Sequence, residues 1–171
     1  MTSIIKVDQI QNAAGTAGLT IDSSGRVLTP VRPAFFAHLN ANHYTTAAAT
    51  DEKVPFNAED YDKGGNFANS EFTAPVAGLY QFNVCVTFIA NSQSSRYIRA
   101  SIYKNGSDFN IEAHSHMSNE TSDSDYALVS FSCTLDLAAN DVISVYYAVA
   151  DVDVDVAGIN KTTHFSGYLI G

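Results

Sequence analysis

The run Phe72-Thr73-Ala74-Pro75-Val76-Ala77-Gly78-Leu79-Tyr80-Gln81-Phe82, preceded by Asn66-Phe67, decides the fold class. From Gly78 onward Tyr80, Phe82, Val84, Val86 and Phe88 take the even positions, and Leu79, Gln81, Asn83, Cys85 and Thr87 the odd ones. Successive side chains leave a strand on opposite faces, so this period of two predicts a half-buried strand. Pro75 and Gly78 give it a sharp start.

Four more strand-like segments lie downstream. Ile98-Arg99-Ala100-Ser101-Ile102-Tyr103-Lys104 runs into Asn105-Gly106, a pair suited to a tight hairpin turn. Ala127 to Tyr147 reads as two strands around Asp141, with Asn140 supplying a residue that tolerates a left-handed turn. Within it Ile143, Val145, Tyr147 and Val149 line one face, with Ser144, Tyr146 and Ala148 opposite. Phe165, Gly167 and Leu169 mark a last strand. Upstream, Phe35, Ala37 and Leu39 predict the first strand of the head, and Val54 with Phe56 a short second one. No helical period is sustained for three turns. Regularly spaced strands separated by Asn, Asp, Gly and Ser turns predict an all-β sandwich.

The 171 residues suffice for one sandwich domain plus an extension, and 46% hydrophobic with 16% charged residues is ordinary for a globular chain. Nine Lys and Arg against 18 Asp and Glu give a net charge of -9, which repels phosphate backbones and anionic lipid and excludes nucleic acid as an expected partner. There is no apolar run of membrane-spanning length and no basic-then-apolar N-terminal pattern, so synthesis in a cytoplasm without membrane insertion is expected. Cys133 is in phase with Val129, Phe131, Leu135 and Leu137, while Cys85 shares the Gln81, Asn83 and Thr87 face. These directions disfavour a disulfide and predict free thiols.

Residues 1–30 differ in texture from residues 31–171. Two short apolar stretches, Ile4-Ile5-Lys6-Val7 and Leu19-Thr20-Ile21, precede Asp22-Ser23-Ser24-Gly25 and Arg26-Val27-Leu28, predicting a β-hairpin with a Gly turn. So few apolar residues cannot form a core alone; the segment must trimerise, dock on a partner or stay disordered. Pro30 and Pro33 punctuate the junction.

From about Pro33 to Gly171 the chain resembles the C1q/tumour-necrosis-factor family of trimeric jelly rolls. The resemblance is carried by Asn66-Phe67, by Gly78-Leu79-Tyr80-Gln81-Phe82, by the Ile98–Gly106 strand and hairpin, by the strands flanking Asp141, and by Phe165-Ser166-Gly167-Tyr168-Leu169. The family often has Gly where this chain has Asn140. The resemblance implies a ten-stranded jelly roll that assembles as a homotrimer. Apolar character on both faces of a strand, read at Tyr80/Phe82 and Tyr146/Tyr147, fits packing about a three-fold axis. Separately, Ser3 to Gly15 together with Leu19 to Val27 is similar to the N-terminal segments of many tailed-bacteriophage structural and fibre proteins. That likeness implies an anchoring segment bound to other virion proteins and a displayed head.

No enzyme is expected, because the chain has no nucleophile elbow, phosphate-binding Gly loop, Cys-x-x-Cys or His-Glu-x-x-His. His114 and His116 would point to one side of a strand and share a metal only if copies from several chains converged, the alternative being a solvated polar strand. Asp151, Asp153 and Asp155 alternate with valines, so three carboxylates share one face. C1q-like trimers hold calcium near the axis with acidic residues from this part of the chain, which implies a calcium site at Asp151, Asp153 and Asp155; the alternative is a solvated acidic edge. Ser115 to Asp125 reads as a variable loop for ligand contact, with Tyr97, Tyr103 and Tyr126 as aromatic faces for sugars. The resulting expectation is a phage virion protein, a trimeric short fibre or decoration whose head adheres to a host glycan or receptor or stabilises the particle. A free trimeric recognition module is the competing class.

Overall fold

The computed structural model describes residues 4–45, 48–90, 96–117, 125–150 and 154–171. Fifteen strands follow one another: β1 Gln9–Gln11, β2 Ala17–Ile21, β3 Val27–Leu28, β4 Ala34–His38, β5 Glu52–Lys53, β6 Ala58–Lys63, β7 Phe67–Ala68, β8 Glu71–Thr73, β9 Gly78–Ala90, β10 Arg96–Lys104, β11 Ser107–Met117, β12 Asp125–Leu137, β13 Val142–Val149, β14 Val154–Val156 and β15 His164–Leu169. Among the described residues no helix is long and apolar enough to cross a membrane.

The head is a sandwich of two six-stranded antiparallel sheets. The front sheet has the order β12-β9-β15-β4-β6, with β14 pairing the end of β9; the back sheet has the order β11-β10-β13-β8-β7, with β5 pairing β13. The chain crosses repeatedly between the sheets, as in a jelly roll. Twelve strands stand where ten were expected, and the two-residue β5 and β7 account for the difference.

The period of two in β9 holds: Tyr80, Phe82, Val84, Val86 and Phe88 are all buried. Across from them Ile98, Ala100 and Ile102 of β10 and Ile143, Val145 and Tyr147 of β13 close the core. At its lower end Phe35 stacks on Phe67 at 4.8 Å and on Phe72 at 4.9 Å, with Phe165 edge-on at 4.9 Å. Gly167 is obligatory here, since a Cβ would stand 2.6 Å from a ring carbon of Phe82 and 2.9 Å from one of Phe35.

The turns follow their residues. Asn105 (φ 53°) and Gly106 (φ 77°) turn β10 into β11, and Asn140 (φ 71°) lies between β12 and β13. The Asp141 carboxylate accepts from the Ala138 amide, the Asn105 side chain and Lys104, each at 2.8 Å. It thereby ties the β12–β13 turn to the neighbouring hairpin.

Several expectations are corrected. Tyr80 and Phe82, two residues apart, both face the core, so they show no two-sided character; Tyr146 and Tyr147 do. The short second strand is Glu52–Lys53, and Val54 and Phe56 follow it as buried residues. Strand β6 escaped notice because Ala58-Glu59-Asp60-Tyr61-Asp62-Lys63 is a charged edge strand without apolar alternation. The N-terminal hairpin is present as β2 paired with β3, and β1 (Gln9–Gln11) adds a third strand that makes it a meander, β1-β2-β3. Its Gly turn is present, with Asp22 Oδ1 accepting from Ser24 and Arg26 amides at 2.9 Å. Both cysteines are free.

Candidate functional site

The outward face of the back sheet carries a continuous row of polar and aromatic side chains. Because Ile98, Ala100 and Ile102 point inward, Tyr97, Arg99, Ser101 and Tyr103 of β10 point outward, and the pairing of β10 with β11 sets His116 beside Tyr97 and His114 beside Arg99. The Tyr97 hydroxyl is hydrogen-bonded to His114 Nδ1, and His114 Nε2 lies 3.0 Å from Glu112 Oε1. Arg99 donates to Glu112 at 2.9 Å and to Asp51, which also accepts from the Tyr103 hydroxyl at 2.6 Å. Tyr103 in turn stacks on Tyr146 of β13 at 3.8 Å.

Electrostatics along the row are mutually satisfied. Burial raises Asp51, but hydrogen bonds from Tyr103 and Arg99 outweigh it and hold the carboxyl below its ordinary value. Burial and the Asp51 contact push Tyr103 up to about 12. The buried Arg99 Nε and Ser101 Oγ have no hydrogen-bond partner among the described residues. The contacts of the row tie side chains of β10, β11 and β13 and the Asp51 carboxylate into one network on the outward face.

A second cluster closes the upper end of the sandwich. The Tyr147 hydroxyl donates to Glu52 Oε2 at 3.0 Å, and the Thr45 amide donates to Asp155 Oδ1 at 3.2 Å. His43 Nε2 lies 3.9 Å from Glu52, and its ring stands edge-on to Tyr147. Burial first, and then the nearby Glu52 and Asp155 carboxylates, raise the Tyr147 hydroxyl well above its ordinary value.

The three expected metal ligands divide. Asp151 and Asp153 lie outside the described residues, whereas Asp155 is buried in β14 between the buried Val154 and Val156. A solvated acidic edge therefore does not describe Asp155; the segment holding Thr45 covers it. Among the described residues no three His, Cys, Asp or Glu side chains gather around one point. His114 and His116 do share one side, both exposed, with the Tyr97 ring centroid 5.4 and 5.7 Å from theirs. Residues 118–124 of the expected variable loop are outside the described residues, and its flanks Ser115–Met117 and Asp125 belong to β11 and β12.

The three tyrosines are not brought together. Tyr97 and Tyr103 sit at opposite ends of β10, and Tyr126 lies on β12 of the front sheet. Sequence reading missed Asp51, Arg99 and Glu112. The signal for Arg99 and Glu112 was the polar set at odd positions of β10 and even positions of β11, which marks one outward face once the two strands are paired; Asp51 had none.

The outward face of the front sheet is of a different kind. Leu79, Tyr126, Leu128 and Tyr168 expose between 46% and 59% of their surface there, with Gln81, Asn83, Ser130 and Ser166 between the two ends. Among the described residues no further layer covers this face.

Comparisons with known proteins follow this architecture. A family model for the C1q domain matches residues 34–170. The globular domain of zebrafish complement 1qA protein superposes with a TM-score of 0.56 at 19% sequence identity, over 81% of this chain and 98% of that one, a likeness of fold. Among curated proteins none matches this sequence.

Proposed function

The chain belongs to the C1q domain family, and we propose that it is a non-enzymatic phage virion protein, a homotrimeric short fibre or decoration with a displayed C1q-like head. The trimer is supported by the half-exposed Leu79, Tyr126, Leu128 and Tyr168 on the front sheet, too much apolar surface for a face left in water. With front sheets turned inward, the back-sheet row of Tyr97, His114, Arg99, Tyr103 and Tyr146 faces outward, toward a host glycan or receptor. Three copies per head and many heads per particle supply avidity from weak single contacts. The virion setting is supported by the likeness of residues 3–27 to phage structural proteins, and residues 1–30 are assigned to attachment. Calcium is proposed at Asp151, Asp153 and Asp155, whose carboxylate oxygens are the hard donors that calcium favours.

Two measurements test the reading. Sedimentation of the purified chain is expected to give a trimer that Leu128→Asp with Tyr168→Asp dissociates; a wild-type monomer would overturn the trimer. Antibody-labelled electron microscopy of native particles is expected to place the head on capsid or tail. Label confined to free protein would favour the soluble recognition module instead.

A further inference from the structure

The β1–β3 meander has one apolar face without cover among the described residues. Register sets Ile10 beside Leu19 and Ile21 beside Val27, and these four with Val7 line one shallow groove while remaining 36% to 63% exposed. A three-stranded sheet of this size is not stable with such a face in water. We propose that the occupant of this groove is the same meander from the other two copies, the three apolar faces closing into a small bundle beneath the heads. The inference rests on the trimer reading above and adds a second, separate assembly surface.

Three observations favour a copy over a different protein. Charge is the first: residues 1–31 hold Lys6, Asp8, Asp22 and Arg26 and are neutral, so the whole net charge of -9 lies on the remainder of the chain. Copies can therefore meet here without the repulsion their heads carry.

Complementarity is the second. Asp22 is answered within the chain by Arg26 at 2.7 Å, whereas Lys6 and Asp8, both exposed and two residues apart, form no ion pair among the described residues. The same pair on a rotated copy matches them, Lys6 to Asp8 and Asp8 to Lys6. A partner selected by charge would call for one sign instead.

Continuity is the third. Val31 and Gly18 share a depression with Pro33, Val76 and Leu169 at the lower rim of the head, next to the exposed Leu79 and Tyr168 of the front-sheet face. This depression, which Thr29 and Arg32 also line, joins the lower rim of the head to Gly18, the neighbour of Leu19 in the groove. Ile4 and Ile5, exposed ahead of β1, stay outside the groove and remain available for attachment to the particle.

The test uses the full chain with Cys85→Ala and Cys133→Ala, carrying either Leu19→Cys in the groove or Thr20→Cys on the opposite face. In a lone chain Leu19 is the more exposed of the two, so slower reaction at position 19 requires a cover from outside. The expected result is a trimer by sedimentation in which the thiol at 19 reacts with a maleimide at least tenfold more slowly than that at 20, and is linked between chains by a short bis-maleimide. Val27→Cys repeats the measurement should Leu19→Cys fold poorly. A trimer whose position 19 reacts as fast as position 20 overturns this inference and leaves the trimer reading standing. A position 19 closed only on the intact particle assigns the groove to another virion protein and likewise overturns it. A monomer refutes both.

Discussion

In β9 Tyr80, Phe82, Val86 and Phe88 are sealed to 0% exposure, whereas in the meander Ile10, Leu19, Ile21 and Val27 keep 36% to 63% of their surface in water. Both regions pair antiparallel strands with apolar residues in register on one face. The difference is the opposing layer. In the head each apolar row meets the second sheet, and burying one such side chain contributes about 1.5–3 kcal/mol. The apolar face of the meander meets no second layer among the described residues, so contacts from outside are the proposed source of its stability.

The largest expected effect tests the sealed side of that comparison. Phe82→Ala should destabilise the head by about 3–5 kcal/mol, because it empties a site packed against Phe72 and Phe165. Gly167→Val should be of similar severity, since its Cβ alone would overlap the Phe82 and Phe35 rings. Thermal midpoints near wild type for both would mean that the core is not organised around these rings.

Calcium comes next. A cation bound only by the folded trimer stabilises it by about 2.7 kcal/mol at a hundred times its dissociation constant. Chelation should accordingly lower the melting temperature, and Asp153→Asn should abolish that response. Identical melting curves with calcium and with chelator would remove the cation from the proposal.

A smaller effect follows from Asp141. Hydrogen bonds from Lys104 first, then from Asn105 and the Ala138 amide, hold its carboxyl at about 2 against an ordinary 3.8. A depressed carboxylate contributes stability that is complete above the unfolded value and lost as pH falls through the folded one. Asp141→Asn should therefore melt below wild type at neutral pH, with the gap closing between pH 3.8 and about 2. A gap independent of pH would point to packing rather than charge.

The smallest effect belongs to the open region. Deleting residues 1–30 should leave the head trimeric, with its melting temperature nearly unchanged, because the front-sheet faces still require cover. A monomeric truncated head in light scattering at micromolar concentration would make the meander, not the head, the source of assembly.

Much of the head was legible in the chain. Alternation gave the inward set of β9 and β13, Asn105-Gly106 and Asn140 gave their turns, and the need for close approach at Gly167 followed from its place between Phe165 and Leu169. Strand β6 was not, because a charged edge strand has no buried face to impose a period. The back-sheet row was half legible. His114 and His116 were read as a pair and Tyr97 and Tyr103 as aromatic faces, but Asp51 joins the row from a segment about fifty residues upstream of Arg99, and no local pattern announces that contact.

The sequence by itself determined which residues form strands, which way each side chain leaves its strand, and where the chain turns, since these depend on neighbours one to four positions away. Only the tertiary structure decided what covers each face. It set Asp155 under the Thr45 segment instead of on a solvated edge, linked Tyr97 to Asp51 through His114, Glu112 and Arg99, and, among the described residues, left the meander and the front sheet open. Burial is a property of the opposing layer, and that layer comes from distant parts of the chain or from another copy of it.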